Sequence, residues 1–252
     1  MSVITSMKLK VPFDMDFYHD LDMPTANLIV RNGKFKERGL SDTDKLNCYS
    51  WGIPREYCKT GSKLAMEDPD SICAKCSTKK GHYTIPDVAN VYQQRYDAWI
   101  QQEHWIEAIT FLIKNSGYDK FRWFDNGDIQ DEYMLLQFIK VAEMLPKKKF
   151  WIPTQEHDIV FNVIDQGYEI PKNMTIRLST RKRFTEPPTE KAKRFNNYPN
   201  VKGYIGTSST VHKDDFNEFN GFKCPSSKQG NKCLDCEACW QRIPNIPYKF
   251  KP

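Results

Sequence analysis

The chain has 252 residues, of which 39% are hydrophobic and 13% aromatic, and its formal net charge is +5. This composition excludes a disordered chain, and this length suits one large domain or a domain with a small appendage. There is no run of about 18 apolar residues that would span a membrane, and the amino-terminal segment lacks a signal-peptide pattern. We therefore expect a cytoplasmic protein without a membrane partner, whose mild positive charge permits an anionic ligand.

The amino-terminal half contains three predicted segments. The apolar residues at 27–32 predict a short strand, and those at 87–115 follow the spacing of a helix. Residues 40–86 between them are rich in Cys, Lys, Gly, Asp and Ser and show little periodicity. We interpret them as a long loop, of the kind that is usually functional or held by a metal.

From residue 120 onward, predicted strands and helices alternate. This alternation implies parallel strands joined by right-handed crossovers. The predicted fold class is therefore α/β, either a partial (β/α) barrel or an open parallel sheet. We place it in residues 1–210, with a metal-binding loop at 48–82, and assign 211–252 to a Cys-rich C-terminal extension. The predicted strands are 120–128 with its turn, 148–155, 173–181 and 201–209, and the helices are 129–145 and 156–167.

Polar residues lie where the predicted strands end. In α/β folds the active site forms at the carboxyl ends of the strands, so these residues are candidates for it. Asp125 and Asp128 are candidate acid–base catalysts, since they could face one pocket across a turn. Loops are polar in any case, so each residue alone also fits a plain surface position. The candidates for cofactor binding are Asn126, Gly127, Asp128, Gln155, Arg177 and Ser179.

The eight cysteines form two groups, and the first lies before residue 77. It contains a C-x14-C-x2-C pattern made by Cys58, Cys73 and Cys76, with Cys48 as a candidate fourth member. Three cysteines could hold a [4Fe–4S] cluster through three of its irons and leave the fourth iron open for a ligand. Four cysteines would instead form a closed tetrahedral zinc site.

The second group consists of Cys224, Cys233, Cys236 and Cys239. A CxxCxxC triplet with one distant cysteine is typical of iron–sulfur ligation, whereas zinc more often uses two separated CxxC pairs. Both metals remain open, as do an inert structural role and one centre shared by the two groups. Nothing in the sequence indicates secretion, which argues against a framework of disulfides.

A basic stretch follows the third of the predicted strands. An exposed basic loop at this rim could contact the phosphates of a nucleotide or a nucleic acid. Glu186 and Glu190 dilute its charge, so a solvated connection remains the alternative. The cations of this stretch, 181–194, are Arg181, Lys182, Arg183, Lys191, Lys193 and Arg194.

The cysteine loop and the alternating strands together resemble the radical S-adenosylmethionine (SAM) superfamily. In that superfamily a three-cysteine loop follows the first strand of a partial barrel and binds a [4Fe–4S] cluster, whose free iron chelates SAM. The resemblance implies this role for Cys58, Cys73 and Cys76. Their spacing departs from the usual C-x3-C-x2-C at the first gap, although expanded first gaps occur in some members. Lys75 also stands where an aromatic residue is usual.

The strand "FRWFDNGDI" and the tail extend this resemblance. The strand is similar to the one that leads to a Gly-Gly-Glu motif, which contacts the SAM amino group. Asn126, Gly127 and Asp128 would take the place of that motif, and only the glycine is identical. Arg177 and Ser179 lie on a strand that often contacts SAM in the superfamily. The C-terminal cysteines resemble an auxiliary cluster, which many members carry there.

The chain also resembles the phage family called gene product 88. That family has early cysteines, an R-x-x-x-x-GD strand and a late CP…C-x-x-C-x-x-CW pattern. The corresponding features here are Cys58 to Cys76, Arg122 to Asp128 and Cys224 to Trp240. The resemblance implies a phage or mobile-element origin, and hence the cytoplasm of a host, and it supplies no activity.

Three functional classes remain open at this point. The first is a radical-SAM-like iron–sulfur enzyme with an auxiliary cluster, acting on a substrate such as a nucleotide or nucleic acid. The second is a zinc-stabilised phage-type α/β protein that binds nucleic acid or modifies bases without SAM chemistry. The third is a structural protein that binds a host component. The sequence specifies neither the substrate nor the oligomeric state.

Overall fold

The fold is an α/β sheet whose strands lie in chain order. In the computed structural model, the described residues are 8–33, 38–211 and 222–249. Across these ranges one sheet contains β1 (Ser41–Asp42), β2 (Tyr49–Trp51), β3 (Lys120–Trp123), β4 (Lys149–Thr154), β5 (Met174–Ser179), β6 (Tyr204–Val211) and β7 (Asn245–Lys249). Each strand pairs with its neighbours in sequence. β1 runs antiparallel to β2, and every later pair is parallel.

Most of the helices pack against one face of the sheet, and those after β2 connect the strands. Strands in chain order, joined by right-handed crossovers, place their helices on the same side. The main core lies there, where Phe121, Phe150 and Ile176 cluster with apolar helix residues. Trp123 is fully buried and stacks on Phe138 with ring centroids 3.8 Å apart. The α-helices are α1 (Met15–Asp20), α2 (Met23–Val30), α3 (Lys59–Glu67), α4 (Pro86–Gln101), α5 (Trp105–Lys114), α6 (Glu132–Met144), α7 (His157–Asp165) and α8 (Thr189–Asn196).

The opposite face of the sheet is covered by the C-terminal segment 222–244. Strand side chains alternate between the two faces, so this face carries the residues that do not enter the main core. Trp151 packs there against Trp240, with ring centroids 5.2 Å apart. Glu237 accepts hydrogen bonds from Lys120 at 2.9 Å and from Lys149 at 3.0 Å. The segment then enters the sheet as β7, parallel to β6.

Arg177 in β5 fastens this segment to the sheet. The side chain is fully buried, and each of its five N–H groups donates to a backbone carbonyl. Gly206 lies opposite it in β6, where a Cβ atom would stand 2.7 Å from the guanidinium. The glycine therefore leaves the space that the guanidinium occupies. The acceptors are the carbonyls of Thr207, Ala238, Cys239, Gln241 and Ile243, at 2.8–3.3 Å.

The α/β prediction is confirmed, and the sheet is open: its edge strands β1 and β7 do not pair with each other in the described residues. The strands predicted at 148–155, 173–181 and 201–209 match β4, β5 and β6 closely. No helix in the described ranges is long and apolar enough to span a membrane. The division at residue 210 stays a prediction, because residues 212–221 and 250–252 of the extension lie outside the described residues.

The strand predicted at 27–32 is wrong, because those residues lie in and just after helix α2. A short apolar run does not distinguish a strand from a buried helix. Here the helix begins because the Asp22 side chain accepts from the Thr25 N–H at 2.8 Å and Pro24 occupies the first turn.

Two further parts of the amino-terminal half differ from prediction. The helix predicted at 87–115 is two helices, α4 and α5, separated at 102–104 without a glycine or proline to mark the break. The loop predicted at 40–86 contains strand β2 and helix α3. β2 has only three residues, which is too short for a periodic pattern to appear in the sequence.

We expect Arg177→Met to lower the free energy of unfolding by at least about 3 kcal/mol. Five carbonyl groups would lose their donor, and each buried polar group left without a partner costs about 1–3 kcal/mol. Urea unfolding followed by tryptophan fluorescence measures this change. The matched control is Arg181→Met at an exposed position, which should change stability by less than about 0.5 kcal/mol. Equal losses in both variants would contradict the fastening role.

Candidate functional site

The carboxyl ends of β2 and β3 are held together by close backbone packing. The Ile53 N–H donates to the Asn126 carbonyl at 3.1 Å. Gly127 has a φ of +82°, and a Cβ atom there would lie 2.6 Å from the Ile53 carbonyl oxygen. This position therefore requires glycine for packing, independently of any ligand. The turn directs Asp128 towards the neighbouring end of β4.

Asp128 is buried and carries three hydrogen bonds. It accepts from the Thr154 hydroxyl at 2.6 Å and from the backbone N–H groups of Gln155 and Ile129, both at 2.8 Å. Burial raises the pKa of its carboxyl group from 3.8 to about 7, although these hydrogen bonds act in the opposite direction. Asp128 therefore joins the ends of β3 and β4, and its proton is exchangeable near neutral pH.

The rim also fixes the start of helix α3, which follows Cys58 directly. Glu156 is buried at the end of β4 and accepts from the Thr60 N–H at 2.8 Å and from the Thr60 hydroxyl at 2.6 Å. Lys59 donates to the Gln130 carbonyl at 2.6 Å. These contacts span 71–96 residues of sequence and hold Cys58 against the carboxyl ends of the parallel strands.

Cys58, Cys73 and Cys76 line one cavity of about 290 Å³. Gly61 of α3 also lines it, and a Cβ atom there would approach the Cys73 Sγ to 3.4 Å and the Cys58 Cβ to 3.1 Å. Burial raises the pKa of the Cys73 thiol to about 12 and that of the Cys58 thiol further. Asp128 and Glu156 add to both shifts because they are negative neighbours. The Cys58 and Cys73 side chains are therefore protonated thiols at neutral pH.

Cys48 lies apart from these three cysteines. It is buried on the other side of the rim in a cluster with Trp151 and Trp240, and Cys233 and Cys239 pack against that cluster. Burial raises the pKa of the Cys48 thiol to about 12. The first cavity is therefore lined by three cysteines, and Cys48 belongs to the surroundings of the C-terminal group.

The four C-terminal cysteines line a second cavity, also of about 290 Å³. Short 3-10 turns at Pro225–Lys228 and Ala238–Trp240 shape its wall. Cys239 contacts the Tyr248 hydroxyl at 3.3 Å, and burial raises the pKa of its thiol to about 11. All eight cysteines of the chain are free thiols. The disulfide alternative therefore has no support in the structure.

The geometry of the two cysteine groups differs from that of a single-ion site. In the described ranges, no three His, Cys, Asp or Glu side chains converge closely enough to coordinate one metal ion. Tetrahedral zinc needs thiolates within about 2.3 Å of one point. In an iron–sulfur cluster each thiolate binds a different iron, so the sulfurs surround a larger volume. The structure thus brings three thiols to one cavity and four to the other without assembling a single-ion site in the described residues.

The remaining predicted residues fall into two environments. Asp125, Asn126 and Gln155 are buried at the rim, and each has a side-chain oxygen without a hydrogen-bond donor among the described residues. The other carboxylate oxygen of Asp125 accepts from Tyr92 at 2.7 Å. Ser179 lines the second cavity. Asp125 and Asp128 do not line either cysteine cavity.

Arg177 has a carbonyl partner for each of its five N–H groups, so its role is to hold the C-terminal segment on the sheet. We therefore assign Arg177 a structural role and do not propose it as a ligand-binding residue. Sequence reasoning missed Arg122, Lys45 and Lys249 as lining residues. Arg122 alternates with fully buried Phe121 and Trp123 in β3, and a cation inside a buried strand is the signal that could have identified it.

Several cations of the basic stretch at 181–194 form ion pairs with acidic residues of the protein. Lys182 pairs with Asp68 at 2.9 Å and Arg183 with Asp70 at 2.6 Å, and both acids follow helix α3. Lys193 pairs with Glu190 inside α8. This stretch therefore contacts the cysteine loop through two ion pairs. Part of the predicted basic loop is helix α8.

Comparison with known proteins identifies a family. The family model of gene product 88 matches residues 26–242, which contain the sheet up to β6 and both cysteine groups. The chain belongs to the gene product 88 family. Neither the curated proteins nor the solved structures contain a match to it. The phage origin predicted from the late CP…C-x-x-C-x-x-CW pattern agrees with this family. An activity for this gene product 88 protein must be argued from its own site.

We expect Asp128→Asn to alter how stability depends on pH. The folded pKa of about 7 lies above the usual 3.8, so the folded state holds this proton more tightly than the unfolded chain does. Asp128 therefore favours folding at low pH, and this contribution is lost as the pH rises towards 7. Between about pH 5 and about pH 7.5, the stability of the wild type relative to the variant should fall by at least about 1 kcal/mol.

Urea unfolding at several pH values measures this difference. Asp158→Asn, at an exposed position in α7, is the control and should show no such trend. A difference between wild type and Asp128→Asn that stays constant or grows with pH would contradict the burial of a protonated carboxyl group.

Proposed function

We propose that this protein is a radical-SAM-like iron–sulfur enzyme in which Cys58, Cys73 and Cys76 hold a [4Fe–4S] cluster. The observation that carries the proposal is the first cavity, which these three thiols line at the carboxyl ends of parallel strands while Cys48 lies elsewhere. Three thiols leave one iron of such a cluster without a protein ligand. That open position is what the binding of SAM requires.

The donor set and its surroundings fit the group. The cavity of about 290 Å³ is open where a side chain at position 61 would narrow it, because that residue is glycine. Glu156 positions the start of α3 through Thr60, two residues after Cys58. When bound, such a cluster would supply one electron to SAM, whose sulfonium C–S bond would break to give methionine and a carbon-centred radical.

Buried oxygens at the rim suit the cationic end of SAM. Asp125, Asn126 and Gln155 each carry an oxygen without a protein donor. An ammonium group has three N–H donors and no acceptor, so it complements such oxygens. Asn126 and Asp128 also correspond to the motif that contacts the SAM amino group in the superfamily that the sequence resembles. In this proposal they orient SAM, and Asp128 keeps β3 and β4 in register at the rim.

The C-terminal cysteines would hold an auxiliary cluster. Cys224, Cys233, Cys236 and Cys239 all line the second cavity, so a cluster there would have a protein ligand for every iron. Its role in the proposal is to shape the substrate side of the sheet and to carry an electron. Free thiols and oxygen-sensitive clusters fit a reducing cytoplasm, which for a phage protein is that of the host.

The alternative of a zinc-stabilised nucleic-acid-binding protein has less support. The basic stretch pairs Lys182 and Arg183 with acids of the cysteine loop, so these two cations are not free for phosphates. An extended nucleic acid contacts many free cations. A nucleotide-sized substrate therefore fits the proposal better than a nucleic acid.

Anaerobic purification tests the clusters directly. We expect brown protein with absorbance near about 400 nm and an electron paramagnetic resonance (EPR) spectrum that SAM changes, because one iron is open. Colourless protein with stoichiometric zinc would contradict the proposal, and so would a spectrum that SAM leaves unchanged.

Two cysteine variants form a matched pair. Cys58→Ala should abolish the response of the spectrum to SAM while the signal of the C-terminal cluster remains. Cys48→Ala should keep the response, since Cys48 does not line the first cavity. If Cys48→Ala lost the response as Cys58→Ala does, the first centre would have four protein ligands and no open iron.

We expect Gly61→Val to reduce the iron content to about that of the C-terminal cluster alone. Its side chain would enter the cavity between Cys58 and Cys73, where even a Cβ atom at position 61 would lie 3.4 Å from the Cys73 sulfur. Lys63→Val, at an exposed position in the same helix that does not line the cavity, is the control for helix propensity. Iron analysis and the loss of the SAM-dependent EPR change measure the effect, with circular dichroism to verify the fold. Full iron content in Gly61→Val would place the cluster elsewhere.

A further inference from the structure

A third cavity lies between the two cysteine groups. It has a volume of about 360 Å³, and both Cys76 and Cys224 line it. It adjoins the four-cysteine cavity, with which it shares Lys45, Thr210 and Tyr248. The two cavities together form one continuous cleft over the face of the sheet that carries no helices. The third cavity, of about 360 Å³, adds to the four-cysteine cavity the room that a small molecule needs.

Among the described residues, the charged side chains of this cleft are cations, and they lie beside four cysteines that would be negative as thiolates. No Asp or Glu among the described residues lines either cavity. Arg183 is neutralised by Asp70. The other cations, which form no ion pair with a described carboxylate, are Lys45, Lys75, Arg122 and Lys249. Such a surface attracts anions and repels cations.

Buried hydrogen-bonding groups in the cleft also lack partners. Arg122 Nε, Trp151 Nε1 and the Thr210 hydroxyl are buried atoms without a hydrogen-bond partner among the described residues. Arg122 and Trp151 are held together, since the guanidinium lies 4.6 Å from the centre of the indole ring. Two of these three groups can only donate. Buried donors are normally satisfied, so the cleft is built for a ligand rich in acceptors.

The walls add a hydroxyl row and an apolar surface. Ser179, Ser208 and Ser209 line the cleft beside Thr210, at the carboxyl ends of β5 and in β6. Trp151 and Trp240 supply flat apolar walls. Hydroxyl and guanidinium groups are typical ligands of phosphate oxygens, and indole rings pack well against a planar group.

We propose that this cleft binds a small phosphate-bearing substrate with a planar apolar part, and that Arg122 is the residue that anchors its phosphate. The proposal goes beyond the function proposed above: the phosphate would bind beside the four cysteines, against the wall of the cleft that Arg122, Ser208 and Thr210 line. Guanidinium groups bind phosphate through two parallel N–H donors, which a lysine cannot reproduce. Lys45 and Lys249 contribute charge at the mouth of the cleft.

Binding of inorganic pyrophosphate tests the proposal. Anaerobically purified full-length protein would be titrated at constant ionic strength, with calorimetry and with tryptophan fluorescence as the readouts. Arg122→Met should weaken binding at least about tenfold, because a charge-assisted hydrogen bond is lost. Lys172→Met removes the same charge at an exposed position outside the cleft and should leave the dissociation constant unchanged.

A second variant protects the test against misfolding of Arg122→Met. The double variant Lys45→Met and Lys249→Met changes side chains at the mouth of the cleft, and Lys45 is exposed. It should weaken pyrophosphate binding severalfold and reduce the dependence of binding on salt. A single-stranded oligonucleotide at equal phosphate concentration provides the comparison with nucleic acid and should bind more weakly than pyrophosphate.

The outcomes separate this proposal from the proposed enzyme. Absence of pyrophosphate binding to brown, fully loaded protein would overturn the anion cleft and leave the clusters in place. Equal binding to wild type and Arg122→Met would overturn it too, as would an oligonucleotide that binds while pyrophosphate does not. Colourless protein that binds pyrophosphate through Arg122 would support the cleft and refute the clusters.

Discussion

The structure depends on one constraint, which is that a parallel sheet wound in chain order receives all its crossover helices on the same face. The second face carries the indole of Trp151 and buried polar side chains such as Thr175 and Arg177, so another part of the chain must cover it and supply hydrogen-bond partners. Here the C-terminal segment covers it, and four hydrogen bonds from Arg177 to backbone carbonyls of that segment attach it to β5. The same docking brings Cys224 to the cavity that Cys76 lines. The proximity of the two cysteine groups therefore follows from how the sheet is covered.

Two arginines on this face show how the same residue type takes different roles. Arg177 is fully buried, and carbonyl oxygens satisfy all of its donors, so its charge is stabilised within the protein. Arg122 is one of several cations in a cleft without carboxylates, and its Nε has no partner in the described residues. The first arrangement is that of a structural residue, and because an unsatisfied buried donor is costly, the second is the basis of the binding role proposed for Arg122.

The parts of the fold that the sequence predicted are those with strong local patterns. β4, β5 and the helices α6 and α7 have regular apolar spacing, and their prediction is confirmed. The strand predicted at 27–32 is wrong because a short apolar run fits a strand and a buried helix equally. The helix cap at Asp22 decides between the two. β7 was not predicted, because Pro247 within it argues against a strand. An edge strand tolerates proline, and β7 lies at the edge of the sheet.

The sequence by itself determined the α/β class, the two cysteine groups and the polar residues at the strand ends. Spacing within a few residues decides which side chains a turn or a helix brings together, so Cys73 and Cys76 could be assigned to one site from the sequence alone. Only the tertiary structure decided that Cys48 lies with Trp151 and Trp240, and that Lys182 and Arg183 pair with acids of the cysteine loop. These contacts join residues that are more than 100 positions apart in the chain. They form only once the sheet and its covering segment have packed, and no local pattern encodes them.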